Sequence, residues 1–196
     1  LAIAPYAATP DRWMKQARAA GHELLMQLPL EPFDYPDNDP GPHTLLVSLR
    51  SPEFLDRLSW LLSRTTNYAG VINTQGGRFT AAEPSMQLLL EQVTQRGLMY
   101  VDDGSSSRTV APAAASAART PFSRVDVVLD AVPRAEDING QLLQLEALAR
   151  ARGVAVASGT ALPVTIKTLQ EWAADLERRG LQLVPVSATI DRAPQG

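Results

Sequence analysis

The chain of 196 residues is long enough for one domain with a substantial core, since a chain of this size buries roughly 70% of its unfolded surface. With 45% hydrophobic and 20% charged residues, it has neither the charge excess of a disordered chain nor a membrane composition, and no apolar run approaches the roughly 18 residues a bilayer span needs. A net charge of -3 with scattered arginines argues against a nucleic-acid partner, and the absence of cysteine removes disulfides and thiolate metal sites while leaving the compartment open.

The chain opens in the apolar run Leu1 to Ala4, which reads as a strand already under way, so residues are expected upstream. Thr9-Pro10-Asp11 is a helix start, with a capping hydroxyl before a proline suited to the first turn. Gly21 then closes the helix and a strand-like run, His22-Glu23-Leu24-Leu25-Met26, begins at once. Leu30 to His43 carries Pro32, Pro36, Pro40 and Pro42 just after Pro29, which denies it regular hydrogen bonding and predicts a structured loop.

Ser51-Pro52-Glu53 repeats the helix start, and Phe54, Leu58, Leu61 and Leu62 fall on one helical face. The glycine join recurs at Gly97 before Leu98 to Val101, at Gly153 before Val154 to Ala157, and at Gly180 before Leu181 to Val186. Arg96, Arg152 and Arg179 put positive charge at the negative end of each helix dipole. Ala111 to Ala118 suits a plain helix, Val125 to Leu129 a buried strand. Ile138, Leu142, Leu145 and Ala149 form one apolar stripe, Ile166, Leu169, Ala173 and Leu176 another. Such alternation predicts parallel strands, about seven of them, joined by helical crossovers.

In parallel α/β folds the working groups gather at the carboxyl ends of strands. Here those ends supply Gln27 to Glu31, Asn73 to Gly77, Asp102 to Ser107, Asp130, Ser158 to Thr160 and Ser187. This rim is rich in hydroxyls and amides, residues that also serve as caps and turn formers. Asp102-Asp103-Gly104 offers paired carboxylates that can hold a metal or divide acid and base roles, and it equally suits an Asp-Gly turn. Gly76-Gly77 lacks the spacing of a phosphate loop. His22 and His43 make no ligand pair, so each reads as a structural hydrogen-bonding residue, and no Gly-x-Ser-x-Gly elbow supports a serine nucleophile.

Leu1 to Ala7, then Ala17-Arg18-Ala19-Ala20-Gly21-His22-Glu23, then Leu28-Pro29-Leu30-Glu31-Pro32 with Asp34-Tyr35-Pro36 and Asp39-Pro40-Gly41-Pro42, resemble the divergent polysaccharide deacetylases of bacterial envelopes. The resemblance continues through Gly70 to Gly76, Arg78-Phe79-Thr80, Leu98 to Asp102, Pro163, Thr165-Ile166 and Leu183 to Ser187, nearly the whole chain. It implies an α/β fold, a parallel (β/α) barrel of the distorted seven-stranded type lacking its first strand here, as a single domain over 1–196. It also implies a periplasmic or secreted location, a polysaccharide or peptidoglycan-type glycan as partner, and a divalent metal, zinc, that polarises the amide and activates water.

The departures from the family pattern are specific. Where the family reads Asn-Asn-His-Met-Gly, this chain reads Ile72-Asn73-Thr74-Gln75-Gly76. Its Gly-His-Pro becomes Gly159-Thr160-Ala161, its Asp-Ser-Arg becomes Asp102-Asp103-Gly104, and its first-strand Asp-Asp pair is expected upstream of Leu1. The surviving family positions are Glu31, Asn73 and Asp102; with the strand-end reading they make Glu31 the candidate metal position, Asp102 and Asp103 the candidate catalytic carboxylates, and Gln27, Asn73, Thr74 and Thr160 the candidate substrate contacts. Two readings follow: a metal-dependent hydrolase of C–N amide bonds, or a catalytically silent relative that binds glycan or a cell-wall partner. Thr74 and Thr160 bear on the choice, because neutral threonine does not replace imidazole as a strong ligand.

Overall fold

A computed structural model describes residues 1–8 and 10–190; Thr9, the expected capping hydroxyl, lies outside the described residues. The chain forms two compact units, Leu1–Phe122 and Ser123–Gly196.

The first unit alternates strand and helix as the glycine joins predict. β1 (Ala2–Ile3) leads through α1 (Pro10–Ala19) to β2 (Leu25–Leu30), and α2 (Ser51–Leu62) to β3 (Gly70–Gln75). α3 (Gly77–Thr80) and α4 (Glu83–Gln95) precede β4 (Met99–Asp102), and α5 (Ala111–Ala118) precedes β5 (Phe122–Arg124), which begins at the unit's last residue. The sheet order is β1-β2-β3-β4-β5, and the β1–β2, β2–β3 and β3–β4 pairs are parallel. Gly21 and Gly97 end their helices at φ 83° and 68°, the left-handed region that glycine enters without a Cβ penalty.

Met26 pairs with Val71 and Val71 with Tyr100, so period-2 alternation puts Met26, Leu28, Leu30, Val71 and Tyr100 on one sheet face. That face is buried with Phe54, Leu58 and Leu61 of α2, Phe79 of α3, Met86, Leu89, Leu90 and Val93 of α4, and the alanines Ala111, Ala114 and Ala115 of α5. The stripe predicted for α2 is therefore core, each such side chain contributing on the order of 1.5–3 kcal/mol by leaving water.

Two local expectations for this unit are corrected. Arg50, not a hydroxyl, caps α2: the Glu53 carboxylate accepts from its backbone N–H at 3.4 Å and pairs with its guanidinium at 2.9 Å, so Ser51 lies inside the helix. The strand expected from His22 starts only at Leu25, because the His22 N–H is still used by the Ala17 carbonyl in closing α1.

The second unit is smaller-cored. β6 (Val127–Val128) pairs in parallel with β7 (Ala157–Ser158), and between them α6 (Ala135–Arg152) closes at Gly153, φ 82°. Val127, Leu129, Ile138 and Leu142 are its buried cluster. α7 (Pro163–Ala173) keeps part of its expected stripe, with Leu169 packed on the core and Leu176 buried beyond its end, but Ile166 is 45% exposed and Thr165 and Thr168 are buried in its place. The Thr165 hydroxyl donates to Asp130 Oδ2 at 2.8 Å, which draws Thr165 inward where Ile166 was expected. Leu181 to Val186 forms no strand; Leu183 is 63% exposed, and Pro185 lacks the N–H a ladder needs. A 3-10 turn (Glu177–Arg179) and α8 (Ser187–Ile190) complete the unit. Seven strands are present among the described residues, and none of the described helices is long and apolar enough to cross a membrane.

Candidate functional site

The carboxyl ends of β2, β3 and β4 carry most of the expected site, but the sheet register divides those residues between two faces. Leu28 pairs with Asn73 and Ile72 with Val101, so Asn73 and Asp102 occupy the next rung on the helix-covered face with Tyr100. Gln27 pairs with Ile72 and Thr74 with Pro29, which puts Gln27 and Thr74 on the opposite face, half-buried. Glu31 follows the end of β2, three residues beyond Leu28 and hence about 10 Å further along the strand direction than the Asn73 rung.

Asn73 is buried and its amide oxygen is fully committed. Its Oδ1 accepts from the Tyr100 hydroxyl at 3.1 Å and the Asp103 N–H at 2.9 Å, while Nδ2 donates to the Gln75 carbonyl at 2.7 Å. This side chain ties the end of β3 to the turn after β4. Asp102 is buried as well, with Oδ1 accepting from the Gly104 N–H at 2.8 Å and Oδ2 from the Thr109 hydroxyl at 2.7 Å. Asp103 Oδ1 accepts from the N–H and hydroxyl of Ser105 at 2.9 and 2.6 Å. Both aspartates thus order the loop into α5. Burial, reinforced by Asp102 and Asp103, holds the Tyr100 phenol well above the ordinary tyrosine range.

Glu31 is buried at the rim. Its Oε2 accepts from the Val47 N–H at 2.6 Å, its Oε1 pairs with Arg78 Nη1 at 2.9 Å, and its carbonyl accepts from the N–H groups of Arg78 and Phe79, both at 3.1 Å. One residue therefore joins the proline-rich loop to the start of α3. Thr160 belongs to the second unit, where its N–H donates to Asp130 Oδ2 at 2.7 Å just beyond β7.

These donors do not fit zinc. Among the described residues no three His, Asp or Glu side chains converge, and the carboxylates of Glu31 and Asp102 each spend both oxygens on protein donors. His43 donates its backbone N–H to the Tyr6 hydroxyl at 3.2 Å and stacks its ring on Trp60 with centroids 3.6 Å apart, while its buried Nδ1 has no hydrogen-bond partner.

Three rim residues escaped the sequence reading as site residues, Phe33, Arg78 and Arg108, beside Gln75 of the strand end already singled out. Gln75 takes φ 58° and directs Nε2 to Asn38 Oδ1 at 3.3 Å. Phe33 lies against Gly77, Arg78 holds Glu31, and Arg108 places its guanidinium 5.6 Å from the Phe33 ring centroid. The signal available was their position at successive strand ends, one aromatic and two arginines amid small polar residues.

Among solved structures the chain is similar to the uncharacterized protein ATU2773 from Agrobacterium tumefaciens, with TM-score 0.94, 38% identity, and coverage of 96% of this chain and 76% of that one. It is 26% identical over 177 residues to the uncharacterized protein YibQ of Escherichia coli, covering 90% of this chain and 54% of the relative. An uncharacterized protein of Haemophilus influenzae is 24% identical over 167 residues, covering 85% and 58%. The chain thus spans a little over half the length of these curated relatives. A family model matches residues 1–190, and by that match the chain belongs to the divergent polysaccharide deacetylases.

Proposed function

We propose that this chain is a glycan-recognition domain of the cell envelope, periplasmic or secreted, which binds an N-acetylated polysaccharide at its strand ends and does not by itself cleave the amide. The observation that carries this reading is the engagement of Glu31 and Asp102, whose carboxylate oxygens serve Arg78, Val47, Gly104 and Thr109. A carboxylate so held gives little to a metal and orders the loops around it instead. What the rim then offers a ligand is the chemistry of recognition: the half-buried amide of Gln27 and hydroxyl of Thr74 on the same sheet face, suited to sugar hydroxyls and an acetamido group. Membership in the deacetylase family supports the class of ligand.

The test pairs calorimetric titration of chitotetraose with an acetate-release assay, with and without added zinc. The expected result is saturable binding, weakened about tenfold by Gln27→Ala with Thr74→Ala, a loss of about 1.4 kcal/mol, and no acetate from this chain. Acetate release that follows added zinc would overturn recognition without cleavage. Absence of binding would overturn the glycan reading.

A further inference from the structure

Three successive strand ends of the first unit meet at one exposed aromatic ring. Phe33 comes from the loop after β2, Gly77 from the turn after β3, and Arg108 from the loop after β4. Phe33 is 56% exposed, yet it is held: a Cβ at Gly77 would lie 2.9 Å from two ring carbons, so only glycine lets the ring sit there. The guanidinium of Arg108 stands 5.6 Å from the ring centroid, within cation–π range. Arg108 is exposed and forms no salt bridge among the described residues. Arg78, next to Gly77, is half-exposed while it pairs with Glu31.

From this juxtaposition we propose that Phe33 and Arg108 form a subsite for an acidic sugar: the ring stacks against the apolar face of a pyranose, and Arg108 takes a carboxylate carried on that sugar. The proposal rests on the glycan reading above and names the class of glycan, one bearing a carboxylate on its repeating unit. An aromatic ring left largely in water gains when a sugar ring covers it, and its rigidity limits the entropy lost on stacking. A planar guanidinium offers two parallel N–H donors that match a carboxylate, and Arg108 already lies over the ring where the sugar's substituents would project. The placement at the carboxyl ends of three parallel strands is where such folds gather ligand contacts.

Two probes of equal length separate this claim from the reading beneath it: chitotetraose, which is neutral, and the peptide-free peptidoglycan tetrasaccharide, in which alternate sugars carry a lactyl carboxylate. Calorimetric titration of the protein is expected to give about tenfold tighter binding of the acidic probe. Arg108→Gln is expected to abolish that preference, lowering the affinity of the acidic probe about tenfold. Phe33→Ala is expected to weaken both probes about tenfold and Phe33→Tyr to preserve both. The exposure of Phe33 makes the fold tolerant of these changes, and circular dichroism of each variant checks that it is intact. Equal affinity for the two probes, or an acidic preference that survives Arg108→Gln, would overturn the subsite and leave glycan recognition standing. Binding of neither probe would overturn both.

Discussion

Asn73 and Tyr100 link the site to the core. The phenol donates to Asn73 Oδ1, which also accepts from the Asp103 N–H, so a buried residue of the helix-packed face holds the turn that shapes the rim. Because burial and the two aspartates raise the phenol's pKa in the folded chain, folding favours the protonated form. The sign follows: the contribution is intact below the unfolded value near 10 and is lost as pH climbs through the higher folded value. Urea unfolding of the wild type is therefore expected to show stability falling above about pH 10, and Tyr100→Phe to flatten that decline at a cost of about 1 kcal/mol at neutral pH. A variant that kept the full alkaline decline would rule out Tyr100 as its source. At this scale the sequence was a partial guide. Asn73, Asp102 and Asp103 were visible as polar residues at strand ends, but which of their atoms were already satisfied depended on Tyr100, Gly104, Thr109 and Ser105 across several loops. The chemistry of Phe33 and Arg108 was harder still to read, since they lie far apart in the chain.

At the scale of elements, the glycine joins were the strongest sequence signal, because a helix that must stop leaves a residue with no Cβ at a left-handed position. Gly21, Gly97, Gly153 and Gly180 all take positive φ, yet only the first three lead to a strand, and the strands after Gly21 and Gly153 start three residues late. The delay has a physical reason: a glycine fixes where a helix ends, whereas a strand begins only where a neighbouring backbone supplies hydrogen bonds. The α7 stripe held at Leu169 and Leu176 but lost Ile166, as the Thr165 hydroxyl bonded to Asp130 drew the start of the helix round. Two glycines distinguish conformation from crowding. At Gly153 a methyl group would meet open space, but φ is 82°, so Gly153→Ala is expected to cost about 1 kcal/mol from backbone strain alone. At Gly70 a Cβ would lie 2.5 Å from the Met99 carbonyl oxygen, within the β3–β4 pairing, so Gly70→Ala is expected to cost about 3 kcal/mol or more. Equal losses in chemical denaturation would contradict this account of strand spacing.

For the molecule as a whole, the parallel alternation of strands and helices was legible in the sequence because it follows from periodicity and punctuation, while function lay in side chains that the fold assembles from distant segments. The central claim is that the strand-end rim recognises the acetamido group of a glycan. Its most direct measurement is calorimetric titration of chitotetraose against the fully de-N-acetylated tetrasaccharide at moderate salt. The chain's net charge of -3 would by itself favour the cationic, deacetylated sugar, so electrostatics work against the expected outcome. The account predicts at least about tenfold tighter binding of the acetylated form. Equal affinity, or a preference for the deacetylated form, would contradict it.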